Sequence, residues 1–153
     1  MRALSESPLT PVLIVGPEAI DLAKQLHRAT YPRRAPFVHV DCTWLPASRT
    51  DELVFGSERA GRSRRGLVDR ADGGTLFFDD VAELPHSDQA KLAKLIESMR
   101  FRRRGGTTEI GVSLRVVAAL ARGASHALES GRLRRDLHAR LSVFTVDGTC
   151  STD

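Results

Sequence analysis

The chain has 153 residues, 41% hydrophobic and 27% charged, a balance ordinary for one globular domain with a sizeable core. No apolar run approaches the roughly 20 residues of a membrane helix, and the N-terminus lacks the basic-then-apolar pattern of a signal peptide. A cytoplasmic protein with no membrane contact is the default expectation. The net charge of +4 rests on arginine, since Lys24, Lys91 and Lys94 are the only lysines.

Val12-Leu13-Ile14-Val15 is a compact apolar run that reads as a buried strand, closed by Gly16-Pro17. Residues 19–29 carry Leu22, Ala23 and Leu26 on one helical face, and Pro32 ends that helix. A second strand is expected over 37–41, followed by a short helix through Asp51-Glu52-Leu53-Val54. Cys42 lies in an apolar context, as a small core residue would, and Cys150 lies in a polar tail. The two cysteines and five scattered histidines have no metal-ligand spacing, so no metal site is expected. Residues 56–66 are polar, basic and glycine-bearing, and read as a loop.

Gly73-Gly74-Thr75-Leu76-Phe77-Phe78-Asp79-Asp80 is a short apolar run that ends in two carboxylates. A run this apolar suits a strand covered on both faces, hence a parallel sheet, whose ligands bind at the carboxyl ends of its strands. In nucleotide hydrolases that arrangement is the Walker B strand. A helix follows, with Ser87 as N-cap, Asp88 in its first turn, and Leu92, Leu95, Ile96 and Met99 on its buried face. Residues 101–110, with Gly105-Gly106 between, read as a β-hairpin. A strand over 114–120, helices over 124–131 and 134–141, and a last strand over 143–146 complete the pattern. Strands alternating with helices give an α/β fold with a parallel, doubly wound sheet of about five strands. Residues 1–11 form an N-terminal extension, 12–146 the core and 147–153 a polar tail.

Several ordered stretches then resemble a known family. They are Phe55-Gly56, Ala71 to Asp80, Glu83-Leu84-Pro85, Gln89-Ala90-Lys91-Leu92, Phe101 to Thr107, Leu114 to Ala119 and Leu133 to Leu141. Together they resemble the central AAA+ domain of bacterial sigma-54-dependent transcription activators, over about residues 12–146. The resemblance implies a P-loop NTPase-like sheet that binds ATP between subunits of a ring, and a loop that remodels sigma-54 RNA polymerase on hydrolysis.

Measured against that pattern, the phosphate loop is about three residues short. Gly16-Pro17-Glu18-Ala19-Ile20 stands where the family has a sequence similar to G-E-S-G-T-G-K-E, so Gly16 is the remnant. Pro17 has no N–H to donate, Glu18 would repel phosphate, and the lysine's place falls near Ala19. The G-A-F-T-G-A signature is missing from the segment after Gly56, so direct sigma-54 contact in the family manner is not expected. The sensor position, usually Asn, is matched by Ala121. The switch Asn is matched by Asp41, an acid that would repel Asp80 or share a proton with it.

Asp79 matches the metal-associated Asp and Asp80 replaces a Glu, both expected to be vestigial. Their plainer reading is strand termination with fold-determined ion pairs. Arg134 and Arg140 match the pair that reaches a neighbour's nucleotide as trans-acting fingers; their plainer reading is a solvated basic helix face. The resemblance thus implies a degenerate domain that does not turn over ATP, needs no cofactor, and acts by protein contact in transcriptional regulation or signalling. Its expected partner is an AAA+ paralogue or a transcription-regulatory protein, with a homo-oligomer left open. One alternative is a weak ATPase using ATP and Mg²⁺ at Asp79 and Asp80. Another is nucleic-acid binding through the arginine clusters at 59–65 and 100–104; DNA is otherwise not an expected partner. Whether the chain is complete or part of a longer regulator stays open.

Overall fold

Apolar runs too short for helices become the strands of one parallel sheet in the computed structural model, which describes residues 2–148. The chain begins with α1 (Arg2–Ser5), β1 (Val12–Val15), α2 (Ala19–Thr30), β2 (Phe37–Asp41) and α3 (Thr50–Phe55). Next come β3 (Ser57–Arg59), β4 (Arg62–Arg64), α4 (Leu67–Ala71), β5 (Thr75–Asp79) and α5 (His86–Ser98). It ends with β6 (Arg100–Phe101), β7 (Ile110–Gly111), β8 (Arg115–Leu120), α6 (Ala124–Glu129), α7 (Arg135–Leu141) and β9 (Thr145–Asp147).

The sheet order is β2-β5-β8-β1-β9, every pair parallel. Side-chain alternation sorts the core into two layers. Leu13, Phe78, Val116 and Ala118 face α3, α4, α5 and α7, while Val12, Ile14, Phe77 and Val117 face α1 and α2. The middle of β5, Leu76 to Phe78, is wholly buried. Each such side chain contributes about 1.5–3 kcal/mol through burial.

Polar clamps hold the layers in register. His27, on α2, places Nε2 3.1 Å from the Ala35 carbonyl and Nδ1 2.8 Å from the Thr75 hydroxyl. A carbonyl only accepts, so Nε2 carries the proton and Nδ1 accepts from Thr75. Burial lowers the His27 pKa, which favours that neutral ring. Arg115 is fully buried at the start of β8 and meets carbonyl and hydroxyl oxygens, with no carboxylate partner among the described residues. It donates to the carbonyls of Leu4, Ser7 and Thr10 and to the Thr30 hydroxyl. Residues 4–10, part of the stretch read as an extension, therefore place Leu4 in the core and are strapped to the sheet by a buried cation.

Four local readings change. Residues 57–64 form an antiparallel hairpin rather than a loop, closed by Ala60 and Gly61, both at positive φ as a tight primed turn requires. The 101–110 hairpin pairs only at Arg100↔Gly111 and Phe101↔Ile110, so its connection is longer than a two-residue turn. Helix α5 starts at His86 after Pro85, which puts Ser87 inside the first turn instead of at the cap. The last strand pairs at 145–147 rather than 143–146, and Gly148, placed in the polar tail, is buried. Cys42 is buried, and burial pushes its thiol pKa up; Cys150 lies outside the described residues.

Candidate functional site

The carboxyl ends of β1, β2, β5 and β8 gather five of the residues singled out from sequence: Gly16, Asp41, Asp79, Asp80 and Ala121. Gly16 follows β1 with φ 125°, and its N–H donates to Leu120 O at 2.9 Å, beside the exposed Ala121. Helix α2 begins at Ala19 with Glu18 as its N-cap, and no side chain bonds that cap. The chain leaving β9 crosses the same turn. Gly148 N–H donates to Val15 O, and a Cβ at Gly148 would stand 3.1 Å from Val15 O and 3.6 Å from Ala19 N.

Asp41 and Asp79 are register partners at the ends of β2 and β5. Asp41 turns into its own loop, where Oδ1 accepts from the Thr43 hydroxyl at 2.7 Å and the Thr43 N–H at 3.1 Å. That turn exposes Trp44, the chain's only tryptophan, at 82%. Asp79 lies 3.6 Å from His39 Nε2, a neighbour that emerges only once β2 and β5 are paired.

Asp80 leaves the strand in the left-handed region, φ 56°. Its carboxyl pKa is raised, first by partial burial and then by Asp79, Glu83 and Asp41, with Arg132 opposing. Arg132 pairs with Glu83. Among the described residues, no group of three or more His, Cys, Asp or Glu is arranged to hold a metal ion.

Arg134 and Arg140 are not brought to these carboxylates. Arg134 forms a two-pronged pair with Asp136, both contacts 3.0 Å, and Arg140 lies 3.1 Å from Glu97. The Arg134 hydrogen bond is the main cause holding Asp136 below its usual carboxylate range. Sequence reasoning missed the residue that positions this loop. Gln89 is fully buried on α5; its Nε2 donates to the carbonyls of Leu84 (2.9 Å) and Arg132 (2.8 Å), and its Oε1 accepts from Arg134 N–H at 2.8 Å. A signal existed: Gln89 stands three residues before Leu92, on the helix's apolar stripe, where a polar group needs partners.

Comparison with known proteins identifies the family and the fold. The chain matches the family described as the sigma-54 interaction domain over residues 2–147. It is 38% identical over 144 residues to the nitric oxide reductase transcription regulator NorR2 of Cupriavidus necator, covering 89% of this chain and 28% of that protein. The crystal structure of NtrX from Brucella abortus superposes with TM-score 0.82 at 30% identity, covering 95% of this chain and 34% of that one. At 16% identity and TM-score 0.61, the P-loop NTPase domain of the Sigma-54 transport activator from E. coli shares the fold, covering 95% of this chain and 91% of that one. The chain spans about 28% of the length of the curated relatives it matches.

Proposed function

The chain belongs to the sigma-54 interaction domain family, and on that premise we propose that it is an AAA+ domain that regulates by protein contact without turning over ATP. The observation that carries this reading is the β1–α2 turn. A triphosphate needs several free N–H groups and a cation at this position. Gly16-Pro17-Glu18-Ala19 supplies a proline, a carboxylate and no lysine, while Gly148 presses on the same turn. Asp41, Asp79, Asp80 and Glu83 add negative charge along the same edge, opposed at Asp80 by Arg132. These residues do not fit a triphosphate, and no chemical step is routed through one.

Arg134 and Arg140 support the contact half of the reading. Both are held by solvent-exposed ion pairs, which contribute little and exchange readily for a stronger anion. A loop fixed from behind by Gln89 presents Arg134 outward. Seated in or on a ring of an intact paralogue, this chain would offer both guanidinium groups to a neighbour's nucleotide.

The test is the ATPase rate of an intact sigma-54 activator titrated with this protein, beside calorimetry with ATP and Mg²⁺. The expected result is a changed rate that the R134A/R140A variant no longer produces, with no ATP binding tighter than about 100 μM by the chain alone. An unchanged rate at stoichiometric excess would overturn the contact mechanism. Tighter ATP binding, lost in Asp79→Ala, would overturn the inert phosphate site.

A further inference from the structure

The two arginine clusters, 40 positions apart in sequence, form one surface. Glu58 N–H donates to Arg104 O at 2.8 Å and Arg104 N–H to Gly56 O at 2.9 Å, so the β6–β7 connection adds a parallel bridge to the edge of the β3–β4 hairpin. Gly105 and Gly106 permit that approach: a Cβ on either would lie 2.7 and 2.5 Å from Glu58 oxygens. Behind the junction, Arg103 Nη2 bonds Asp69 at 2.7 Å. The two hairpins are therefore joined through backbone hydrogen bonds.

Charge is concentrated there. Residues 57–65 and 100–111 hold eight arginines and two glutamates, a surplus of six, so the rest of a chain of net charge +4 is net −2. Strand register places Arg59 opposite Arg62, with Arg64 two residues further on the same face, while Glu58 and Ser63 pair on the other. A like-charged cross-strand pair weakens a hairpin, so folding does not account for this arrangement. Arg59, Arg62, Arg64, Arg65 and Arg100 enter no ion pair among the described residues, and Arg104 reaches Glu52 only at 3.9 Å. Arg59, Arg62, Arg64 and Arg104 line a cleft of about 710 Å³ between the hairpins, together with Glu52 and Glu58, so its lining carries four guanidinium groups against two carboxylates.

The side-chain inventory discriminates between partners. A protein interface has an apolar or aromatic centre, but among the described residues the exposed large apolar ones are Leu9, Trp44, Val143 and Phe144, none of them on the hairpins. Single-stranded nucleic acid needs aromatic platforms for its bases, and Phe101, the one aromatic in these segments, is buried. What remains is a fork-shaped donor array suited to phosphates. Arg62 and Arg64 are spaced by two strand residues, about 6.8 Å, comparable with successive phosphates along one strand of a duplex.

We propose that the joined hairpins bind the phosphodiester backbone of double-stranded nucleic acid without reading its bases. Binding uses neither the carboxyl edge nor Arg134 and Arg140, so it holds or fails independently of the nucleotide and ring readings.

The experiment is fluorescence anisotropy with a labelled 20-bp DNA duplex at about 50–300 mM salt. The expected dissociation constant is of order 10 μM at the lowest salt, with log K falling against log salt at a slope of about −4, as four to six phosphate contacts require. R62A/R64A/R65A, all exposed positions, should reduce the slope to about −1.5 and weaken binding at least tenfold. R28A/R33A/R34A, which removes the same charge elsewhere, should leave both unchanged. No binding, a flat salt response, equal weakening by both triple variants, tighter binding to the single strand, or equal competition by poly-glutamate would each overturn the proposal. The wild-type slope and the two competitors decide it even if a triple variant misfolds.

Discussion

Asp88 illustrates how far one side chain can be moved from its solution chemistry. It is 4% exposed on α5, and its carboxyl pKa rises to about 6, first through burial and then through Asp51, while Lys91 and Arg104 pull the other way. Lys91 is engaged by Asp51 and lies 4.6 Å over the Phe55 ring, which limits what it returns to Asp88. An unfolded Asp ionises near 3.9. Between about pH 4 and 6 the folded chain keeps a proton that the unfolded chain has released, so stability falls as pH rises through that window. Relative to Asp88→Asn, which has no such titration, the wild-type unfolding free energy should decline by about 2–3 kcal/mol from pH 4 to 6.5. Urea unfolding across that range measures it, and parallel curves for the two proteins would contradict it.

At the level of elements, the joint between α4 and the hairpins depends on one nearly buried pair. Arg103 and Asp69 have side chains 15% and 11% exposed. Asp69 Oδ2 also accepts the Gly66 N–H at 2.8 Å, and Arg103 Nε is left without a partner. Arg103→Ala strands the carboxylate and should cost about 2–4 kcal/mol, whereas Arg103→Met with Asp69→Asn should recover part of that. Chemical denaturation of the single and double variants is the check. This joint was invisible in the sequence because it links positions 34 apart and contains no apolar pattern. The same reason hid β3 and β4: Ser-Glu-Arg and Arg-Ser-Arg have no alternation, and their hairpin is set by the Ala60-Gly61 turn and by the close approach of Gly56 and Gly66. By contrast β1, β5 and β8 were legible, being continuous apolar runs covered on both sides. β9 was legible only in part. Its apolar letters Val143 and Phe144 are exposed, and strand pairing with β1 falls two residues later. The position of Asp79 and Asp80 at the end of β5 was legible because the apolar run stops there. His39, Arg132 and Gln89 meet their neighbours only through pairings made after folding.

Over the whole molecule, charge is segregated rather than mixed. Carboxylates crowd one sheet edge, eight arginines occupy two adjoining hairpins, and a buried arginine bonded to backbone carbonyls holds residues 4–10 against the sheet. Such separation orients a molecule in the field of a charged partner before contact, and it makes both surfaces sensitive to salt. The turn after Asp41 adds an optical consequence. Trp44 is the sole indole of the chain, stands almost fully in solvent beside the carboxyl edge, and is followed by Leu45, which lines a cavity with Arg64 and Arg65. Its emission is therefore a label-free gauge of whether that corner is covered. The free protein should emit at the wavelength of indole in water and be quenched readily by iodide, whereas capture by an AAA+ ring should shift the emission to the blue and shield it.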